Sequence, residues 1–378
     1  MSTGSTPDPV LEGSEVDRRI IAPSEFVADT EAFIDVRIPG SQGKASYSFI
    51  GPGVSQNADQ TINLVEPHGF NVGAASMPHG VVNNPHLHFT AEVFICTRGS
   101  WSMHIGQHGD QTIPIGPGTI FSAPTWVFRG FENTGPDDGW LFVVLGEDDT
   151  GGILWAPEVL AAAADTGLYL SPTYEILDAT AGDVTEDVIT PLTPEQLAAV
   201  DTYSDEELAE RVVPADALDW SSQALLSAVV PGHASRVAPV IGYGMSEDRR
   251  HRPPIADPHG FAVEWLELDE SATTGSHRLD VPTVLFAIDG DWTVTFNRGD
   301  RAEVRPVPNG SVVSVPAGCW REFANPASAP ARVVITTGGS GPVPVEWDPT
   351  IVDAAAEAGW ARDAYGYLAP LDLVGRTR

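Results

Sequence analysis

The chain has 378 residues, of which 42% are hydrophobic, with 37 glycines and 32 prolines; this is room for two domains and suits a folded, turn-rich, mostly β protein better than a disordered one. A formal net charge of −32 makes nucleic acid and anionic membranes poor partners, and it serves either solubility or the steering of a cationic substrate. A single lysine, Lys44, among 20 basic residues argues against Schiff-base or lysine general-base chemistry.

In chain order, residues 1–30 are polar and rich in Pro and Gly, an N-terminal extension expected to fray or to drape over a neighbour. Residues 1–16 lack the basic-then-apolar pattern of a secretory leader, and no run of 18 apolar residues predicts a membrane span. Residues 31–169 form a first half in which short β-branched and aromatic segments, 92–96 and 139–145 among them, are split by turn residues. A helix is expected over 157–166, with Pro157 in its first turn and Gly167 past its end. Residues 170–235 form a connector, with a helix over 194–213 opened by Thr193 as N-cap and Gln196 as its partner. In the second half, 236–378, strands are expected over 281–288 and 332–337 and a helix over 349–358, stopped by Gly359. Cys96 and Cys319 lie one in each half; two distant thiols make no disulfide scaffold and fit a reducing cytosol, so a cytoplasmic protein is expected.

The halves repeat one another. Pro67-His68-Gly69-Phe70 recurs as Pro258-His259-Gly260-Phe261, a shift of 191. After one inserted residue the shift is 192, so that Gly118, Pro124, Arg129, Phe131 and Asn133 match Gly310, Pro316, Arg321, Phe323 and Asn325. The protein is a tandem duplication.

One stretch of the first half carries chemistry. Gly80 is followed by His86-Leu87-His88, then Glu92, then Gly99, and later by Gly118, Pro124, Arg129 and Asn133. This pattern resembles the two motifs of the cupin superfamily, over roughly 45–150 and again over 236–345. The resemblance implies an all-β fold of two tandem cupin barrels (double-stranded β-helix, or jelly-roll) joined by short helical connectors: an N-terminal barrel with a metal motif and a degenerate C-terminal one. It also implies that His86, His88 and Glu92 grip one divalent metal inside the first barrel. Residues i and i+2 of a strand share a face, which directs both imidazoles inward. Two histidines and a carboxylate with open positions favour non-haem Fe(II), with manganese, nickel or zinc as alternatives.

The family's fourth ligand, a histidine, is replaced by Arg129, which stays protonated and cannot ligate a cation. Three readings compete: Arg129 orients an acidic substrate beside the metal, it pairs with Glu92 in a metal-free barrel, or it ties its strand to a neighbour. His104, on the strand after Gly99, is a candidate replacement ligand. In the second half only His277 remains, since Leu279 and Thr283 occupy the other ligand places and Arg321 the last; one ligand makes no metal site, so that barrel is structural or holds a metal-free pocket. His68 and His259, kept in both copies, are expected to bond backbone in a turn, His79 and His108 to be exposed, and Trp101, Trp126, Phe128 and Phe131 to be core. No phosphate loop, Cys-x-x-Cys pair or nucleophile elbow occurs.

The resemblance to dioxygenase-type bicupins, such as aromatic-ring and flavonol dioxygenases, implies a metal-dependent oxidoreductase acting on a small phenolic, enolic or carboxylate substrate. Glu92 and Arg129 would be its catalytic side chains. The oxalate decarboxylase branch uses full ligand sets in both barrels and fits less well. Alternatives are a metal-dependent isomerase or lyase without O2, and a non-catalytic small-ligand-binding bicupin. Barrels of this family often associate into homo-oligomers through strands and terminal helices.

Overall fold

The computed structural model describes residues 9–185 and 187–374; residues 1–8 of the expected extension lie outside them. Two compact units emerge, one of residues 26–217 and one that joins 218 onward with the segment before 26. Each is a barrel of two facing, mainly antiparallel sheets, because short alternating strands bury one face against the opposite sheet.

In the first unit the larger sheet runs Val212–Val213, Ile120–Ala123, Glu92–Arg98, Gly139–Gly146, Phe70–Met77, Ala45–Ile50 and Ile62–Leu64, with only the last pair parallel. The smaller sheet runs Ile153–Trp155, Val82–His88, Arg129–Asn133, Trp101–Ile105 and Gln111–Ile115. Phe94, Trp101, Met103, Phe121 and Phe131 fill one part of the core, and Leu87, Phe128 and Trp155 another. Trp126 departs from expectation: it is 47% exposed and takes a left-handed φ of 57° in the loop before Arg129, so it serves no core.

The second unit reproduces the plan. Phe261–Leu268 lies 191 residues after Phe70–Met77, and Ala331–Gly338 lies 192 after Gly139–Gly146. Helices Pro157–Asp165 and Pro349–Glu357 follow the barrels, each starting at a proline. The helix expected over 194–213 is instead two short ones, Pro194–Leu197 and Asp205–Ala209. The cause is local. Ser204 caps a second start, with its hydroxyl accepting from Glu207 N and the Glu207 carboxylate accepting from Ser204 N, a second capping box that ends any continuous helix.

The duplication also reaches further than its motifs. Arg19-Ile20-Ile21 matches Arg211-Val212-Val213 at a shift of 192. Ile20–Ile21 pairs with Val312–Val315 at the edge of one sheet, and Val212–Val213 pairs with Ile120–Ala123 at the edge of the other. Arg19 Nη1 donates to Ser314 Oγ (3.2 Å) and Arg211 Nη1 to Ser122 Oγ (3.4 Å). Each edge is thereby covered by the arm that precedes the other copy in sequence. The arm at 20–21 is therefore no frayed extension, and the 170–235 connector divides at 217 because its two parts serve different barrels.

Candidate metal centre

The strand Val82–His88 places His86 and His88 on the barrel interior, and the strand Glu92–Arg98 begins with Glu92 across the turn. Gly99 turns the chain from Glu92–Arg98 toward Trp101–Ile105 at φ 93°, where a Cβ would lie 2.8 Å from Gly139 Cα, so the motif glycine is required by the turn. One ligand atom from each of His86, His88 and Glu92 lies within 4.8 Å of the others, all buried; among the described residues no other such group forms. His88 Nε2 stands 3.6 Å from Glu92 Oε2, and the two imidazole centroids are 5.0 Å apart.

Hydrogen bonds orient this set. His86 Nδ1 bonds the Asn84 carbonyl at 2.7 Å, which fixes the tautomer and leaves Nε2 as the acceptor. Asn84 in turn donates from Nδ2 to Asp35 Oδ2 (2.9 Å), and Lys44 Nζ bonds both Asp35 and Asn83 Oδ1, the latter at 2.8 Å. The single lysine is thus a buried strut behind His86. Sequence reasoning passed it over, and its only signal was its uniqueness.

Burial holds both imidazoles neutral: His86 falls to about 3, with the Arg129 charge a second cause, and His88 falls well below its ordinary value for the same reasons. Burial lifts the Glu92 carboxyl to about 7, with Arg129 pulling against it. Both His88 nitrogens and Glu92 Oε2 are buried with no hydrogen-bond partner. A buried imidazole and a carboxylate oxygen that lack hydrogen-bond partners are costly unless something electropositive satisfies them, and two neutral imidazoles with one carboxylate are a donor set that a divalent transition metal fits.

Arg129 is fully buried; its Nη2 donates to the Pro124 carbonyl and its Nε lies 3.5 Å from Glu92 Oε2. It ties its strand to the preceding loop and neighbours Glu92 at once. His104 is no ligand. It pairs with Gly130, one residue off the inward register of Arg129 and Ile105, and its partly exposed ring faces Glu132 at 3.9 Å. His68 and His259 each bond a carbonyl two residues back at 2.6 Å, and His79 and His108 are exposed.

A cavity of about 780 Å³, counting its open mouth, leads to the three residues. Its wall is mostly apolar, with Phe33, Val36, Val54, Phe94, Phe131 and Leu145, and it also includes Lys44; Arg129 is not one of the lining residues. Small residues on Phe70–Met77 make the room: Gly73, Ala74 and Ala75 stand where the second barrel has Glu264, Trp265 and Leu266. At Gly73 a Cβ would come within 2.5 Å of the Tyr47 carbonyl, so the neighbouring strand packs only against glycine there.

In the second barrel His277 lies opposite Arg321 as His86 lies opposite Arg129, but Leu279 is packed in the core and Thr283 replaces the carboxylate.

No protein-family model matches the chain, and no curated protein matches it in sequence. Solved structures do match in fold. A 7S globulin of Momordica charantia superposes with a TM-score of 0.50 at 9% identity, over 87% of this chain and 86% of that one. The oxalate decarboxylase of Bacillus subtilis gives 0.51 at 11%, over 89% and 78%. A formate complex of the oxalate decarboxylase of Lactobacillus farciminis gives 0.52 at 11%, over 85% and 86%. The chain has the fold of these proteins, two tandem cupin barrels. No helix among the described residues is long and apolar enough to cross a membrane.

Proposed function

We propose that the first barrel is a mononuclear metal centre and that the protein is a metal-dependent cupin enzyme, an oxidoreductase of the dioxygenase kind, acting on a small, oxygen-rich, acidic substrate. The observation that carries this reading is the convergence of His86, His88 and Glu92 within 4.8 Å, with His88 and Glu92 Oε2 unpartnered, at the end of an apolar cavity. A divalent ion there supplies Lewis acidity and, if iron, electron transfer to dioxygen.

The protein's own groups define the rest. His86, locked by Asn84, and His88 would hold the ion as neutral donors. Glu92 would complete the donor set and is the carboxylate placed to take a substrate proton. Arg129 adds a positive charge beside Glu92, so a divalent ion leaves two positive charges uncompensated in a buried site, and a carboxylate, enolate or phenolate neutralises them best. The apolar wall excludes water from whatever binds. Two of the structural neighbours are oxalate decarboxylases, whose substrate is of this small carboxylate kind.

A metal-free, ligand-binding barrel is the reading favoured by the 3.5 Å approach of Arg129 to Glu92, since a guanidinium already occupies one side of the carboxylate. Elemental analysis of protein purified without chelator decides between them. Near one equivalent of iron or manganese, lost in His88→Ala, supports the metal centre; no metal in the wild type, with ligand affinity unchanged in His88→Ala, supports the second reading. For the metal centre, oxygen uptake with Fe(II) and phenolic or diketone substrates supports the dioxygenase, and turnover under argon supports an isomerase or lyase.

A further inference from the structure

The second barrel contains a charge with no counterpart. Arg321 is fully buried, and its Nε, Nη1 and Nη2 all lack a hydrogen-bond partner. Its counterpart Arg129 has Glu92 beside it and the Pro124 carbonyl as acceptor. Of the buried acids of this unit, Glu267 pairs with Arg236 and Arg332, Asp248 with Arg250, and Glu247 accepts from Leu226 N and Trp347 Nε1, so each is engaged elsewhere. Glu264 accepts from Met245 N at 3.2 Å, and burial lifts it to about 8, so it is protonated at neutral pH and supplies no counter-charge. A buried guanidinium without an anion is among the most costly arrangements a core can hold.

The duplication shows where the anion belongs. Thr283 occupies the place of Glu92, and a threonine lacks the arm and the carboxylate that the glutamate extends toward its arginine. Thr283 is paired across the sheet with Thr337, so the two share a face, and both hydroxyls are buried without partners. His277, opposite Arg321, bonds the Gly275 carbonyl through Nδ1 at 2.9 Å and is held neutral by burial and by Arg321. Where the first barrel has a carboxylate the second has a hydroxyl, while both have the cation.

We propose that the second barrel binds one small monovalent carboxylate of the formate or acetate class, gripped by the Arg321 guanidinium and the hydroxyls of Thr283 and Thr337, in the space that the Glu92 carboxylate fills in the first barrel. Forked donors and a carboxylate match bidentately, and full burial restricts the ligand to one or two carbons. The site is independent of the metal centre.

The test is equilibrium urea unfolding of the full chain at pH 7, in gluconate at constant ionic strength with sodium formate, sodium benzoate or sodium chloride substituted in. The unfolding midpoint of the wild type is expected to rise with the logarithm of formate concentration and to stay flat in benzoate. Arg321→Met removes the cation and Thr283→Glu supplies the carboxylate internally; either variant is expected to abolish the formate response, while Arg129→Met keeps it. A wild type with equal midpoints in formate and gluconate overturns the proposal. So does a formate response that survives in whichever of the two variants folds, or a response to chloride without one to formate.

Discussion

In the first barrel His86 sits opposite Arg129 with the Trp155 ring 5.1 Å from its own; in the second His277 sits opposite Arg321 with Trp347 at 5.3 Å. Around this shared frame everything chemical differs. Where one barrel has His88, Glu92, Gly73 and Ala75, the other has Leu279, Thr283, Glu264 and Leu266. The scaffold thus folds with or without the ligand set. The imidazole, arginine and tryptophan kept in both copies form the common frame, and the residues that differ, His88, Glu92 and the small wall residues, are what set the metal centre apart from its counterpart.

The sharpest way to break the comparison is to make the first interior like the second. The double variant His88→Leu with Glu92→Thr is expected to lower bound metal from near one equivalent to near zero, read by elemental analysis. His88→Leu alone, measured after chelation, is expected to stabilise the fold by about 1–3 kcal/mol, because it removes two buried nitrogens that have no partner. A destabilised chelated variant would mean that the ring is bonded as a structural group.

Next in size is the cavity. Ala75→Leu copies Leu266 into the wall on Phe70–Met77. It is expected to abolish binding of phenolic or carboxylate ligands by calorimetry while leaving the metal content unchanged. Loss of both together would show that the wall and the ion site are not separable.

A third test uses pH and should sharpen the contrast from the other side, since only the second barrel buries an acid at the Gly73 position. Burial raises Glu264 from its ordinary 4.5 to about 8. The folded state therefore holds a proton that the unfolded state has released, and stability falls as pH rises from about 4.5 to about 8, then levels off. Each unit of upward shift corresponds to about 1.4 kcal/mol. Glu92 and Glu247, each raised to about 7, add slopes of the same sign, so Glu264→Gln is expected to reduce the slope in urea midpoints, most clearly between about 7 and 8, and an unchanged slope would place the proton elsewhere.

What the sequence disclosed follows from how local each signal is. The paired His86 and His88, the offset Glu92 and the turn glycine Gly99 fall within one short stretch of sequence, and strand periodicity is enough to turn the two imidazoles inward. His104 shows the limit: one residue of register across a turn decides between the interior and the flank facing Glu132, and composition does not fix it. Trp126 was expected in the core because of its type, but a loop with positive φ carries it outward. The Lys44–Asp35–Asn84 support of His86 joins residues up to 49 apart, and no pattern along the chain announces it. The reach of the repeat to Arg19 and Arg211 was present in the sequence, but it is only three residues long and lay beyond the motifs.

Those two arginines give the smallest and most local difference. Arg19 is almost wholly buried, forks onto Glu15 through Nε (3.0 Å) and Nη2 (2.7 Å), and bonds Ser314 Oγ at 3.2 Å. Arg211 is more exposed, lies 5.6 Å over the Tyr203 ring, and reaches Ser122 Oγ at 3.4 Å. Charge-assisted hydrogen bonds are stronger when shielded from water, and exposed contacts are worth little. Arg19→Ala is accordingly expected to cost about 1–3 kcal/mol and Arg211→Ala under about 1 kcal/mol. Hydrogen exchange localises each effect, because Ser314 N donates to the Arg19 carbonyl (2.8 Å) and Ser122 N to the Arg211 carbonyl (3.0 Å). Exchange at Val312–Val315 should quicken in the first variant and at Ile120–Ala123 in the second. If each variant loosens the opposite strand, the assignment of arms to edges is reversed; if neither strand responds, backbone pairing alone holds the arms in place.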